Sequence, residues 1–518
     1  MNPNSRRNAS APPALSPASS PAKKAPRRSR ATPSRVDVCA ARKKNGRVYT
    51  PRFVVETILD LADYRGSRIA RKHIIDNSCG DGAFLTVVVE RYCRENATLG
   101  ATRLKAELET FVHGVELDPA ERERCVQNLN AVALTFGVQG VNWDVICADA
   151  LTFDRWNGQI DFVVGNPPYV RVHNLGATFD AAKRFNLAQS GMTDLFLVFY
   201  ELGLRMLTPS GTLSYITPSS FFTSVAGGPL REKIVAENLL AKLVDLKHRQ
   251  VFDATTYSTI AVLTSGRKTS SATEYFELTA DDKPSLIERL TADDFYVDGK
   301  FYFSTRRNLR FLREILTFQP PKNAERFAVK NGFATLADSF FIGDAATFGF
   351  ADFTIPVVKA STGVWSRCLY PYDASARLLP WETLSAVAAV KRYYESACDR
   401  LKQRSLTNPG AWFGFGRTQG LKDVARNKYA VNTLIRDAAD LKLTPSPAGT
   451  GVYGGLYVLT DVPFETLRAL LNDEDFETYV SLLQKYKSGG YYAFSSKDLK
   501  AFLERQFVKA QKLTTRRR

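Results

Sequence analysis

The tetrapeptide Asn166-Pro167-Pro168-Tyr169 is the stretch of this chain whose residue types are best suited to chemistry. It follows the mostly apolar run 160–165, which predicts a buried strand that enters a tight turn. Each proline fixes its φ angle and removes a backbone donor, so the turn presents the Asn166 carboxamide and bare carbonyls as rigid acceptors. Such acceptors suit an exocyclic amino group, and the Tyr169 ring suits the aromatic ring that carries it. Taken alone, the same residues are equally compatible with a rigid turn ending in an exposed tyrosine.

Acidic residues follow three predicted strands upstream of this turn. The first strand leads into the loop 76–82, where Gly80 and Gly82 allow the backbone to approach a ligand closely. The next strand ends at Glu116, whose carboxylate can accept both hydroxyls of a ribose, and the third leads to Asp149, which can accept from an adenine amino group. Each acid alone is more often a solvated loop residue or a helix cap. Together they indicate a ligand that contains adenosine and needs no phosphate, which S-adenosylmethionine satisfies better than a dinucleotide.

Apolar runs alternate with helical patterns between residues 45 and 265. This alternation predicts a doubly wound, Rossmann-like α/β fold with a mostly parallel sheet and ligands at the carboxyl ends of its strands. The predicted strands are 73–76, 111–116, 143–147, 161–164, 212–217, 241–246 and 259–264, and the predicted helices are 83–96, 119–134, 195–207 and 229–238. Beyond about residue 270 short strands, helices and aromatic residues mix, as in an α+β domain. We therefore predict a tail (1–45), an α/β domain (46–268) and a mixed α+β domain (269–518).

The basic excess of the chain is unevenly placed. Residues 1–48 hold twelve Lys or Arg and one acid, Asp37, so this stretch carries +11 of the formal net charge of +17. Its richness in Ala, Pro and Ser predicts a disordered tail that holds nucleic acid loosely through phosphates. A solubilising extension or a misassigned start codon explains the same composition equally well.

Cysteine and histidine usage argues against several classes of protein. The seven cysteines are scattered without a C-x-x-C pair and there are only four histidines, so we expect neither a metal site nor a disulfide framework. No apolar run is long enough to span a bilayer, and no signal peptide is evident. The expected location is the reducing cytoplasm, with no membrane partner.

The order of the motifs resembles the N6-adenine DNA methyltransferases of the gamma class, which belong to type II restriction–modification systems. The matching segments are Tyr49-Thr50-Pro51, the loop 76–82, Glu116, Asp149, the turn 166–169, and the runs 194–196, 209–213, 216–221, 251–254 and 257–260. The resemblance is close over residues 46–265 and looser in 332–335, 416–420 and 489–492. It implies a catalytic domain at 46–268 followed by a target-recognition domain at 269–518. One departure is Asn77, where the family usually has proline, and we expect it to alter loop stiffness rather than chemistry.

The resemblance implies methyl transfer from S-adenosylmethionine to N6 of an adenine flipped out of duplex DNA. The Asn166 side-chain oxygen and the Pro167 carbonyl, in the rigid turn completed by Pro168, would accept the two amino protons and stabilise the charge growing on nitrogen. Tyr169 would stack on one face of the base and Phe252 on the other, although spacing alone leaves a core role for Phe252 equally open. The expected cofactor-binding residues are Tyr49, Thr50, Pro51, Asp76, Cys79, Gly80, Gly82, Glu116, Asp149 and Asn166.

The second half of the chain places aromatic residues beside basic ones, as in 412–417 and 485–487. Arg417 and Gln419 have the donor geometry for guanine and adenine edges, although such loop residues more often contact phosphate or solvent. The resemblance implies double-stranded DNA as the partner, bound by a monomer that is associated with the bacterial nucleoid. Because no P-D…E-x-K nuclease pattern occurs and no domain is expected ahead of residue 45, we expect any restriction endonuclease to be a separately encoded protein.

Two other enzymatic functions use similar residues, and a non-enzymatic function is a third alternative. A glutamine-modifying methyltransferase also carries N-P-P-Y, but that class is much shorter and lacks both the Tyr-Thr-Pro segment and a large C-terminal domain. Adenine methylation in RNA would use a similar site, so the site residues do not separate RNA from DNA. A DNA-binding module that has lost its chemistry is disfavoured by the intact Asn166, Glu116 and Asp149.

Overall fold

A nine-stranded sheet between residues 74 and 290 positions the predicted site. The computed structural model describes residues 50–172, 179–189, 193–252, 256–321, 325–406, 408–472 and 474–516. The predicted tail and Tyr49 lie outside the described residues. The strands are β1 (Ile74–Asp76), β2 (Val112–Glu116), β3 (Asp144–Cys147), β4 (Ile160–Gly165), β5 (Leu207–Pro218), β6 (Leu240–Asp245), β7 (Ser258–Thr264), β8 (Thr273–Leu278) and β9 (Pro284–Leu290).

The sheet has the order β3-β2-β1-β4-β5-β7-β6-β8-β9. Neighbouring strands run parallel except where β7 pairs with β5 and β6 and where β9 pairs with β8. Strand order reverses between β1 and β4, and such a switch point opens a crevice for ligands at the carboxyl ends of the two strands. The predicted doubly wound, mostly parallel sheet is confirmed.

Helices cover the two faces of this sheet. Those in the described part of the chain are α1 (Arg52–Leu61), α2 (Ala83–Glu95), α3 (Ala101–Phe111), α4 (Pro119–Thr135), α5 (Phe179–Ala182), α6 (Leu195–Met206) and α7 (Gly228–Ala236). Helices α1 to α4 pack into one apolar core and α5 to α7 into another. Ile74 belongs to one core and Ile75 to the other, because successive strand residues point to opposite faces.

The sheet extends beyond the predicted domain boundary at residue 268. Strand β8 pairs in parallel with β6, and β9 pairs with β8 as far as Leu290. Tyr275 of β8 is fully buried in the core that continues into the C-terminal half. The boundary at 268 therefore falls between β7 and β8, within the sheet.

The remaining residues form smaller sheets and helices. The strands are β10 (Tyr296–Val297), β11 (Lys300–Phe301), β12 (Ala328–Asn331), β13 (Ile342–Gly343), β14 (Thr354–Lys359), β15 (Val364–Leu369), β16 (Lys428–Val431), β17 (Leu434–Ile435), β18 (Leu443–Ser446), β19 (Gly451–Tyr453), β20 (Leu456–Leu459), β21 (Tyr486–Lys487) and β22 (Tyr491–Ala493). The helices are α8 (Ala292–Phe295), α9 (Arg306–Leu316), α10 (Asp338–Phe341), α11 (Ala345–Phe348), α12 (Trp381–Ser385), α13 (Ala388–Glu395), α14 (Cys398–Lys402), α15 (Phe464–Leu471), α16 (Glu474–Leu482) and α17 (Ser496–Arg516).

The C-terminal half divides between two apolar cores. Leu309 of α9, Phe476 of α16 and Phe502 of α17 share the core that lies under α6. Many residues between 333 and 424, together with Tyr453, form a separate core rich in aromatic side chains. Part of the predicted recognition domain is thus continuous with the sheet, and part is built around its own core. Within the part of the chain that the structure describes, no helix is both long and apolar enough to cross a membrane.

Candidate active site

Strand β4 carries the predicted catalytic turn to the switch point. Gly165 has φ +154°, and a Cβ atom there would lie 2.8 Å from Asp76 Oδ1 at the end of β1. Both the backbone conformation and the carboxylate therefore require glycine at this position. Pro167 is buried, while Asn166, Pro168 and Tyr169 are half-buried, so the turn lies against the loop after β1 and keeps one side open.

The Asn166 carboxamide is held in one orientation by Thr50. Its Nδ2 donates to Thr50 Oγ1 at 3.1 Å, and its Oδ1 is buried with no hydrogen-bond partner among the described residues. Thr50 is buried, and Pro51 follows as the N-cap residue of α1. An unpaired buried carbonyl oxygen is costly, so a site that maintains one is suited to a ligand that brings a donor. Thr50, which we predicted to contact the cofactor, is here a partner of the catalytic turn.

Tyr169 and Phe252 meet at the other side of the turn. Their ring centroids are 6.3 Å apart with planes at 73°, and Tyr169 makes a similar edge contact with Phe196. The Tyr169 hydroxyl donates to the Ile216 carbonyl at 3.2 Å, and burial raises its pKa well above its ordinary value. A base between parallel rings needs two contact distances of about 3.5 Å each. The Tyr169 and Phe252 rings are instead nearly perpendicular and in edge contact, so no stacking slot is open between them in this arrangement.

Asp76 forms the floor of the loop after β1. It is 2% exposed, accepts from the Ser78 backbone N–H at 3.0 Å, and has a pKa that burial raises to about 7. Asn77 is also buried, and its Oδ1 accepts from the Tyr215 hydroxyl at 2.9 Å. The residue that departs from the family pattern therefore ties the loop to β5.

The loop residues Cys79, Gly80 and Gly82 have different roles. Gly80 has φ +54° and nothing within 4 Å of the position of a Cβ, so its backbone borders open space. Gly82 has φ +89°, and a Cβ there would lie 2.8 Å from the Cys125 sulfur, so glycine lets α4 pack against the loop. The Cys79 side chain is buried, and its pKa is raised by contact with Cys125 and by burial. Of the three residues, Gly80 alone combines an open face with the freedom to border a ligand.

Glu116 and Asp149 occupy consecutive strand ends, as predicted. The Glu116 carboxylate accepts from the Gly80 N–H and the Asp118 N–H, each at 2.9 Å, and so cross-links two loops. Asp149 Oδ1 accepts from the Leu151 N–H at 3.0 Å and caps a short turn. Both side chains are half-buried, and a carboxylate oxygen has a second lone pair with which it can also accept from a ligand.

Leu117 is a candidate ligand contact that the sequence-based reasoning missed. It lies between Glu116 and Asp118 and is 62% exposed, among the most exposed large apolar residues described. An exposed apolar side chain beside a half-buried carboxylate suits a flat ring attached to a ribose. The available signal was an apolar residue between two acids at a predicted strand end. With the open face of Gly80, these residues fit an adenosine-bearing cofactor.

Arg417 and Gln419 lie elsewhere in the fold. Both are exposed, and the Arg417 backbone forms a short antiparallel pairing with Ala334 through hydrogen bonds of 2.9 and 3.1 Å. The two loose motifs 332–335 and 416–420 are thus brought together at the aromatic core of the C-terminal half. The structure places neither side chain at the catalytic turn.

Comparison with known proteins supports the resemblance. Residues 93–252 match the model of the Eco57I restriction-modification methylase family. The type II methyltransferase M.XhoI from Xanthomonas vasicola is 32% identical over 242 residues, which are 44% of each chain. The chain is similar to restriction–modification methyltransferases. The predicted resemblance to type II restriction–modification methyltransferases is confirmed, and the chain matches less than half the length of M.XhoI.

A second relative and a solved structure extend the similarity into the C-terminal half. The type II methyltransferase M.BstVI from Geobacillus stearothermophilus is 25% identical over 418 residues, covering 71% of this chain and 74% of the relative. The type IIL restriction-modification enzyme MmeI, solved in complex with DNA, has a TM-score of 0.59 at 11% identity, covering 86% of this chain and 63% of MmeI. The shared fold therefore includes both the sheet and most of the C-terminal half.

Proposed function

We propose that this chain transfers a methyl group from S-adenosylmethionine to the N6 amino group of a flipped adenine in double-stranded DNA. It would serve as the modification enzyme of a restriction–modification system and act as a monomer, with any cognate endonuclease encoded separately. The similarity to type II methyltransferases supports the reaction class. The choice of adenine N6 rests on the catalytic turn.

The observation that carries the proposal is the free Asn166 Oδ1. It is buried and without a partner among the described residues, while the amide nitrogen is held by Thr50. Its neighbour Pro167 adds a backbone carbonyl in a turn that lacks two backbone donors. An amino group has two protons to give, which matches these two acceptors.

These acceptors address the weakness of an aromatic amine as a nucleophile. The nitrogen lone pair of adenine N6 is delocalised into the ring, and hydrogen bonds from both N–H groups to Asn166 and Pro167 favour its localisation on nitrogen. They also stabilise the positive charge that grows on nitrogen, before one proton leaves to water. Preorganised groups of this kind contribute on the order of 10²–10³ in rate. S-adenosylmethionine, when bound, supplies a methyl group already activated by its sulfonium.

The aromatic pair suits capture of the flipped base. Tyr169 is fixed through its hydroxyl to Ile216, so the ring that turns to open a parallel slot is that of Phe252. Stacking contributes roughly 1–3 kcal/mol per base and offsets much of the cost of flipping. Phe252 is buried in the present arrangement, so its rotation exchanges core contacts for contacts with the base.

A methylation assay tests this function. Purified protein is incubated with S-adenosylmethionine and unmethylated duplex DNA, and the nucleosides are then identified by mass spectrometry. We expect N6-methyladenine with the wild type and an initial rate of its formation about 10²–10³-fold lower with Asn166→Ala, which removes the acceptor. Methylated cytosine, activity on RNA alone, or methylation of a glutamine side chain in a protein substrate would contradict the proposal.

A further inference from the structure

The segment between β6 and β7 carries Phe252, the predicted second wall of the base pocket. Its described residues are 246–252 and 256–257. It begins at the carboxyl end of β6 and returns at Tyr257, whose carbonyl accepts from the Ser219 backbone N–H at 2.9 Å. The contacts at both ends of this segment are therefore candidates for setting where the Phe252 ring lies.

The first end is held by residues that are distant in sequence. Asp245, the last residue of β6, is 1% exposed and accepts from the Tyr486 hydroxyl at 2.5 Å and from Gln484 Nε2 at 3.1 Å. Both donors belong to the segment that forms the β21–β22 hairpin, in the predicted recognition half. A buried carboxylate needs such donors, because leaving it unpaired is strongly destabilising.

The second contact is a cluster of aromatic rings around His248. Its ring centroid lies 4.7 Å from Tyr492, 5.0 Å from Tyr486 and 5.9 Å from Tyr257, in each case nearly perpendicular. Neither imidazole nitrogen has a hydrogen-bond partner among the described residues, so the ring is held by packing. Tyr257 also contacts Tyr486 directly at 5.5 Å. The hairpin thus contacts both the beginning and the end of the Phe252 segment.

The backbone at this junction is held in an unusual conformation. Lys247 and Gln484 have φ values of +49° and +54°, which residues other than glycine rarely adopt. Such conformations persist where surrounding contacts impose them. Lys247 also pairs with Glu277 at 2.7 Å, so the turn after Asp245 is fixed on more than one side.

We propose that Tyr486 of the β21–β22 hairpin is a positioning residue that sets Phe252 for base capture, so that the C-terminal half completes the base pocket. The inference rests on the proposed function for the identity of the base. The hydroxyl of Tyr486 fixes Asp245, and its ring packs against His248 and Tyr257. Phe252 follows His248 by four residues, and its ring contacts Tyr169. Tyr486 itself touches neither base nor cofactor.

The variant Tyr486→Phe tests the proposal, because it removes one hydroxyl and keeps the ring. Its matched control is Tyr479→Phe, which removes a buried hydroxyl that donates to the Asp498 carbonyl at 3.1 Å, away from the Phe252 segment. Hydrogen exchange of peptides covering residues 246–258 is compared in both variants without DNA. We expect faster exchange in Tyr486→Phe alone. Equal exchange in the two variants would overturn the proposal, whether or not the protein methylates DNA.

The second readout is base capture, followed with 2-aminopurine in place of the target adenine. In Tyr486→Phe we expect the fluorescence gain and kcat to fall about tenfold, because a hydrogen bond to a buried charge is lost from the support of the pocket. Cofactor affinity and DNA affinity should stay within about twofold of the wild type. A fall in DNA affinity with unchanged kcat would assign the hairpin to DNA binding instead. Gln484→Met removes the second donor and should reproduce the effect if Tyr486→Phe does not fold.

Discussion

Replacing Thr50 with valine tests how the catalytic amide is oriented. Valine has nearly the same shape as threonine and cannot accept the hydrogen bond that Asn166 Nδ2 donates at 3.1 Å. A neutral hydrogen bond of this kind contributes about 0.5–1.5 kcal/mol, which corresponds to a loss of about 2- to 13-fold if all of it is felt in the transition state. An amide released from Thr50 also populates the flipped orientation, in which a nitrogen replaces the acceptor oxygen. With about a further factor of two for that flip, we expect kcat to fall about 4- to 25-fold.

The assay for Thr50→Val is the single-turnover rate of methyl transfer at saturating DNA and cofactor. Calorimetry measures cofactor affinity in parallel, and Thr50→Ser, which keeps the hydroxyl, should restore most of the rate. A Thr50→Val rate equal to that of the wild type would show that Thr50 does not orient Asn166. Weaker cofactor binding with an unchanged rate would instead support the role in cofactor binding predicted from the sequence.

Three further predictions concern the site and the tail. Asn166→Ala should lower kcat by about 10²–10³ while cofactor affinity stays within a few-fold in calorimetry, and a near-normal rate would mean that the acceptor is misassigned. Burial raises the pKa of Asp76 to about 7, whereas the same carboxyl group in the unfolded chain titrates at about pH 4. Between these two pH values the folded protein keeps a proton that the unfolded chain has lost, so the free energy of unfolding falls as the pH rises from about 4 to about 7. Asp76→Asn should remove up to about 4 kcal/mol of this decrease in the free energy of unfolding, measured by denaturant titration between about pH 4 and pH 8. Identical pH profiles for the variant and the wild type would contradict the raised pKa of Asp76. Deleting residues 1–44 should reduce non-specific DNA affinity and its salt dependence without changing the methylated sequence, whereas an unaltered salt slope would show that the tail does not contact phosphates.

The sequence predicted the sheet well because its strands are buried on both faces. All seven predicted strands and all four predicted helices occur, with ends that shift by a few residues. The sheet continues past the predicted boundary at 268 because β8 and β9 lie at its edge, where charged residues stand among the apolar ones and many side chains are exposed. Such a pattern does not show which sheet an edge strand joins.

The site was predicted at the level of its motifs but not of its contacts. The pairing of Thr50 with Asn166 joins residues that are far apart in the sequence, and no local pattern indicates it. Gly80 and Gly82 look alike in the sequence, yet one borders open space and the other packs against Cys125. Tyr169 and Phe252 do meet, but the angle between their rings depends on tertiary packing that the sequence does not display.

The recognition half was the least accessible to sequence reasoning. Its three loose motifs lie in two different parts of the fold. Segments 332–335 and 416–420 pair with each other, whereas 489–492 belongs to the β21–β22 hairpin that contacts β6. Arg417 and Gln419 are exposed, which is necessary for reading bases but also fits contact with phosphate or water.

The central claim is that the turn at Asn166 methylates adenine N6 at a defined sequence in DNA. Its most direct test is to express the chain in a host that lacks adenine methylation and to map modified bases across the genome by single-molecule sequencing. We expect N6-methyladenine at one recurrent motif, and a much lower methylated fraction at that motif when Asn166→Ala is expressed at the same level. Soluble, cofactor-binding protein that leaves every adenine unmodified would contradict the claim.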